Sequence, residues 1–155
     1  SNSIYINQDL AKNFNIKIPM EVIYNPLELP HKTIDPNSLD NNNKVLKIIN
    51  VGSLNTRKNQ TMIIKAIQSL GTDYQLTILG VGPHKKELDK IINNAALEKQ
   101  VFLMGRKKNV NDYLVKNDCF VLSSNTEGFP NALLEAMAIG LPCISTNCLS
   151  GPLEL

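Results

Sequence analysis

The chain has 155 residues, 43% of them apolar and 19% charged, and a formal net charge of +2. That length suffices for one domain with a real hydrophobic core and excludes two full ones, while the composition excludes wholesale disorder. The small charge, the 5% aromatic content and the lack of Trp give no support to a nucleic-acid surface, so no nucleic acid is expected as a partner.

No signal peptide and no apolar run of membrane-spanning length is visible, so the chain reads as cytoplasmic. Cys119, Cys143 and Cys148 form an odd set without CxxC spacing, and the first two sit inside apolar runs. They are expected to be reduced cysteines acting as small hydrophobes. His31 and His84 have no local metal-ligand pattern and are expected to be structural or surface residues.

Residues 1–30 read as the end of a preceding domain or an interdomain linker. Within them Asn7 to Phe14 suits a short helix, Met20 to Tyr24 a strand, and Asn25-Pro26 a stop. Residues 31–43, with Pro36 and the run Asp40 to Asn43, have the composition of a polar loop. From residue 44 to 155 the pattern is regular. Val45 to Val51 predicts a buried strand ended by Gly52. Met62, Ile63, Ala66, Ile67 and Leu70 recur at helical spacing up to Gly71. Gln75 to Leu79 is a strand, and Leu88, Ile91, Ile92 and Ala95 stripe a helix. Val101 to Met104 is a strand, Val110 to Val115 a short helix, and Cys119 to Leu122 a strand. Asn131 to Ile139 is a helix and Pro142 to Ser145 a strand. Near-continuously apolar strands alternating with helices predict a parallel sheet covered on both faces, a doubly wound, Rossmann-like α/β fold. In such sheets ligands bind beyond the carboxyl ends of the strands.

Among the segments that follow strands, Glu127 to Glu135 (EGFPNALLE) carries most. Pro130 suits the first turn of a helix. From Ala132 to Ile139 every residue except Glu135 is apolar or small, and a helix apolar nearly all round is normally buried. A carboxylate there is either satisfied by protein donors or kept to accept hydrogen bonds from a polar ligand. The amides at this helix N-terminus favour an anion. After the first strand, Arg57 and Lys58 in GSLNTRKN are either a solvated basic pair or cations that meet a diphosphate. This turn is neither GxGxxG nor GxxxxGK[ST], and Gly80-Val81-Gly82-Pro83-His84-Lys85 has Lys85 where a third glycine belongs. It reads as a tight turn with Pro at a helix start.

The E-x7-E element within SSNTEGFPNALLEAMAIGLPCIST, together with VGSLNTRKN, ILGVGP and the terminal SGPLEL, resembles the retaining glycosyltransferases of the two-Rossmann-domain GT-B fold, of the group 1 or family 4 type. The resemblance runs from about Val22 to the last residue. It implies the donor-binding half of an enzyme that moves a sugar from a nucleotide diphosphate to an acceptor hydroxyl with retention and without a metal or other cofactor. A glycan or lipid-linked acceptor would be bound by an N-terminal domain, and the full-length protein would have room to associate peripherally with the inner membrane face. The domain is expected to stop short of the family's closing helices. By position the resemblance gives Lys58 to the diphosphate, Glu127 to the hydroxyls of the transferred sugar and Glu135 to the ribose hydroxyls. It gives the sugar lining to the backbone of Gly128, Phe129, Pro130 and Asn131, phosphate to the amides near Ala132 and Leu133, and the base to Arg106. Gly52 and Ser53 form the turn against the donor. Ser53 stands where relatives usually carry an arginine, with Arg57 as the available substitute, and Val81 where an acidic residue is common. Two other readings are a non-catalytic Rossmann-like nucleotide-binding module and a GT-B-like sugar-nucleotide epimerase.

Overall fold

The computed structural model describes residues 3–16, 18–27, 30–35, 45–148 and 151–155. Five strands form one parallel sheet: β1 (Leu46–Val51), β2 (Tyr74–Leu79), β3 (Val101–Leu103), β4 (Cys119–Leu122) and β5 (Cys143–Ser145), in the spatial order β3-β2-β1-β4-β5. The helices are α1 (Ile4–Asn13), α2 (Gln60–Leu70), α3 (Lys85–Asn94), α4 (Val110–Leu114) and α5 (Asn131–Ala138). The doubly wound α/β fold is therefore present, with element bounds close to those the periodicity predicts.

Apolar residues on alternate positions of each strand fill two cores. On one face Ile48, Leu76, Ile78 and Val101 meet Ile63, Ile64 and Ile67 of α2 and Leu88 and Ile92 of α3. On the other, Ile49, Leu79, Phe120 and Leu122 meet Leu114 of α4 and Leu133 and Ala136 of α5. Each large apolar side chain buried this way is worth about 1.5–3 kcal/mol. β1 pairs with β2 from Leu46↔Tyr74 to Val51↔Leu79, and with β4 at Ile48↔Cys119 and Ile49↔Phe120. The chain winds outward from β1 through β2 to β3, then crosses back to β4 and β5. The reversal lies between β1 and β4, where such sheets open a crevice.

Two sequence expectations change. Residues Met20 to Tyr24 form no strand, and Ile23 is 69% exposed. Strand-like composition does not make a strand without a neighbour to take its backbone bonds, and among the described residues this segment pairs with none. Helix α5 is not buried all round. Leu133 and Ala136 are buried, Met137 is 45% exposed, and Leu134, Glu135 and Ala138 are half-buried. Only one side of α5 packs on the sheet, and Leu134, Glu135 and Ala138 line an open cleft. Of the polar loop 31–43, residues 31–35 are described. Ile34 donates its amide to the Ile139 carbonyl at 2.8 Å, which docks this segment at the end of α5; residues 36–43 lie outside the described residues. None of the residues of α1 is buried.

The glycines of the loop after β2 have a structural task. A Cβ on Gly80, whose φ is +151°, would fall on the Gly52 carbonyl oxygen, and one on Gly82 would lie 2.3 Å from the Leu54 oxygen and 2.7 Å from its nitrogen. The close approach lets Leu54 donate to Val81 O at 3.0 Å and accept from His84 N at 3.1 Å. The loops after β1 and β2 are thus laced backbone to backbone, and Val81 is 53% exposed. Because backbone, unlike a side-chain tip, cannot yield, Gly82→Ala is expected to cost about 1–3 kcal/mol. A urea midpoint lowered at unchanged slope is the outcome expected; an unchanged midpoint would show that the two loops separate freely.

Candidate functional site

Two clefts open at the carboxyl end of the sheet. The one at the β1/β4 reversal has a volume of about 480 Å³ and is lined from the β1 side by Gly52, Ser53, Arg57 and Lys58. From the β4 side come Glu127, Gly128, Phe129, Asn131, Ala132 and Glu135. The second, of about 740 Å³, lies alongside α4 and α5 and shares Val110, Asn131 and Glu135 with the first. Its other wall is the segment Pro26 to Lys32 as far as described, and the exposed Lys32 ammonium meets Asp112 at 2.8 Å beside it. Lys32 holds the Asp112 carboxyl below its ordinary range, by hydrogen bond and by charge.

The centre of the smaller cleft is an ion pair. Lys58 Nζ lies 2.5 Å from Glu127 Oε1, with the two side chains 14% and 4% exposed. The Ser124 hydroxyl donates to the same oxygen at 2.5 Å. Lys58 is held through its backbone: Ser123 Oγ donates to its carbonyl at 2.8 Å, and its amide donates to Asn55 Oδ1 at 3.0 Å. Gly52 leaves the space that the lysine stem occupies, since a Cβ there would sit 3.3 Å from Lys58 Cδ and Cε. Asn125 joins the two loops again, donating its amide to Arg57 O at 2.8 Å and its side-chain nitrogen to Thr56 O at 3.1 Å. Glu127 is therefore no solvated loop residue. It is buried between Ser124 and Lys58, 69 positions apart from the latter in sequence.

Other expected residues fall outside the lining. Arg106 is exposed beyond β3 and lines neither cleft; Val110 and, in the larger cleft, Lys108 stand there instead. Pro130 is buried as the residue preceding α5. Leu133 turns its side chain into the core, and its amide donates to Pro130 O at 3.0 Å, so this amide is engaged within the first turn rather than offered to an anion. Ser123, Ser124 and Asn125 belong to the segment after the fourth strand, where a ligand is expected, but the sequence gives them no individual role. Their signal was a run of three small polar residues directly after an apolar strand. Two further contributors come from the segment before β1. The Tyr24 ring lies 5.3 Å from that of Phe129, and Asn25 Nδ2 donates to Asn131 Oδ1 at 3.0 Å.

The cysteines form no disulfide, with Cys148 buried and the others half-buried; burial pushes the Cys143 thiol up to about 11, with Cys119 adding to the shift. His84 precedes α3 and lies 3.2 Å from Thr56 Oγ1, and His31 borders the larger cleft. Among the described residues no group of three or more His, Cys, Asp or Glu could hold a metal ion, and no helix is long and apolar enough to cross a membrane.

Burial alone raises the Glu135 carboxyl above its ordinary value. A carboxyl that binds its proton more readily when folded stabilises the fold below the unfolded value and loses that contribution as pH rises through the folded one. Glu135→Gln is therefore expected to raise the melting temperature slightly at neutral pH and not at pH values below the carboxylate range. A thermal scan at both pH values checks this; an advantage of equal size at both would rule out the titration of Glu135 as its source.

Comparison with known proteins shows the family. Residues 31–155 match the family model described as glycosyl transferases group 1. The chain is 37% identical over 133 residues to an uncharacterized glycosyltransferase of Methanocaldococcus jannaschii, which covers 84% of this chain and 31% of that protein. It is 36% identical over 152 residues to the N-acetylgalactosamine-N,N'-diacetylbacillosaminyl-diphospho-undecaprenol 4-alpha-N-acetylgalactosaminyltransferase of Campylobacter jejuni, covering 96% of this chain and 40% of that one. Among solved structures, the apo lipopolysaccharide outer core galactosyltransferase WaaB superposes with a TM-score of 0.75 at 28% identity, over 86% of this chain and 38% of that one. Anabaena HepE in complex with UDP and glucose superposes at 0.74 and 21% identity, over 86% and 39%, and shares the fold. The chain thus spans well under half the length of the relatives it matches. With a family match over residues 31–155 and relatives above 30% identity, this chain belongs to the group 1 glycosyltransferases, with a GT-B-type Rossmann-like domain.

Proposed function

We propose that this chain is the donor-binding half of a retaining glycosyltransferase that moves a sugar from a nucleotide diphosphate to an acceptor hydroxyl. The observation that carries the reading is the joining of Lys58, from the loop after β1, and Glu127, from the loop after β4, in one cleft at the sheet's reversal point. A cation and a carboxylate side by side suit a ligand with a diphosphate at one end and hydroxyls at the other.

In this reading Lys58 and Arg57 meet the diphosphate, while Glu127 and the Gly128 to Asn131 backbone meet the sugar. Glu135, shared by both clefts, meets the ribose, and the larger cleft along Val110 and Lys108 takes the base. When the bond from the anomeric carbon to the diphosphate breaks, its electrons leave with a phosphate oxygen. The acceptor oxygen takes their place on the carbon and sheds its proton. Fixed cations beside the departing phosphate stabilise that charge as it grows, so no metal is required for this role. Orientation supplies much of the rest. The acceptor, a glycan or a lipid-linked one, would be held by the N-terminal half of a longer protein acting at the cytoplasmic face of the inner membrane. The HepE complex with UDP and glucose and the named activity of the Campylobacter relative support the donor and acceptor classes.

Calorimetric titration with UDP, GDP and ADP, then with their sugar conjugates, tests the proposal. One base is expected to bind selectively, and chelation of divalent metal is expected to leave its affinity unchanged. Lys58→Ala is expected to lower affinity for the diphosphate by about tenfold or more while sparing the nucleoside. Equal losses on both ligands would remove Lys58 from the phosphate. Glu135→Ala is expected to weaken nucleoside and nucleotide alike, and unchanged affinity would contradict its ribose role.

A further inference from the structure

The lysine assigned to the diphosphate is already neutralised. Lys58 Nζ and Glu127 Oε1 are in contact at 2.5 Å with their side chains 14% and 4% exposed, so water competes little for either charge. An anion entering the cleft must first draw Lys58 away. The lysine backbone is fixed by Ser123 and Asn55, so only the stem, which lies in the space beside Gly52, has to move. The carboxylate does not lose its position when the lysine leaves, because Ser124, itself 1% exposed, donates to the same oxygen. Ser124 is in turn held from β5's end, where Thr146 Oγ1 donates to its carbonyl at 2.6 Å.

Resting on the donor-binding reading, we propose that Lys58 and Glu127 exchange partners on ligand binding, and that this exchange makes the site prefer the loaded donor over the nucleoside diphosphate left after transfer. A loaded donor replaces both halves of the broken pair: phosphate oxygens for Lys58, sugar hydroxyls for Glu127. A nucleoside diphosphate replaces only the first and leaves the buried carboxylate without a substitute for its cation. Once the sugar has departed, re-pairing of Lys58 with Glu127 competes against the diphosphate and speeds its release. Ser124 is the positioning residue of the device, keeping Glu127 in place while Lys58 is away.

The test is a double-mutant cycle by calorimetry on this chain, with inorganic pyrophosphate, UDP, GDP and ADP as sugar-free probes and the sugar conjugates of the three nucleotides measured beside them. Glu127→Gln keeps the side-chain size and an acceptor for Ser124 while removing the charge that masks Lys58. It is expected to bind these sugar-free probes more tightly, by about fivefold or more, and to lose the preference for a nucleotide-sugar over its nucleoside diphosphate. In a Lys58→Ala background the same substitution is expected to give no gain. An equal gain there would mean that the carboxylate merely repels anions through space, and no gain in either background would mean that the pair does not open; both overturn the exchange. Should the glutamine variant not fold, the unsubstituted chain answers directly. The Lys58 ammonium resonance in a 15N-lysine sample, assigned by its loss in Lys58→Ala, is expected to shift on adding pyrophosphate, and an unmoved resonance in the presence of bound probe overturns the proposal. If the unsubstituted chain binds none of the four probes, the donor-binding reading falls with it. Binding without a gain in Glu127→Gln removes the exchange alone.

Discussion

Everything at the carboxyl end of this domain depends on how β4 is fixed beside β1. The two strands are neighbours in the sheet although 71 residues separate Lys47 from Asp118, and the join is made with more than the ladder. The Asp118 carboxylate accepts from the Lys47 amide at 2.7 Å, the Lys47 carbonyl accepts from the Asp118 amide at 2.8 Å, and buried Asn50 donates to the Val121 carbonyl at 2.8 Å. A carboxylate accepting from a backbone amide is among the stronger hydrogen bonds available to a protein. The pairing sets the level at which both strands end, and hence the level at which the loops carrying Lys58 and Glu127 face each other. A slip of one residue would turn alternate side chains to the wrong core and part the two loops.

The scaffold was legible in the sequence because one physical requirement dictates its pattern. Strands buried on both faces are apolar over most of their length, and helices lying on them are apolar on one side, so Leu46 to Val51 and the stripe Ile63, Ile64, Ile67 declare themselves. The same rule misled at Met20 to Tyr24 and at α5. Composition records what a segment is fit to bury, whereas burial depends on what lies against it. Residues Leu134, Glu135 and Ala138 are compatible with a core, yet they face a cleft, and no local pattern distinguishes the two environments.

The site was legible where chemistry stood out from its surroundings and illegible where it depended on distant partners. Glu135 is a carboxylate among apolar neighbours, and Arg57 and Lys58 are cations immediately after a buried strand. Glu127 was recognised from the family motif, but not as a buried group, because its burial comes from Ser124 and from a lysine contributed by another strand's loop. Arg106 differs again: the resemblance gives it to the base, whereas the clefts are lined at this edge by Val110 and Lys108.

The lacing of the loops after β1 and β2 bears on how such a domain can diversify. Gly80 and Gly82 leave no volume for a side chain against Gly52 and Leu54, and Gly80 N donates to the Gly105 carbonyl at 2.9 Å, tying in the loop after β3 as well. That rim is closed to larger residues at Gly80 and Gly82. The exposed residues Arg106, Lys108 and Asn109 just beyond it carry no such constraint. Changes of ligand preference by engineering therefore have a defined place to accumulate: an exposed segment beside a rim that admits no added side chain, next to the clefts that share Val110 and Glu135.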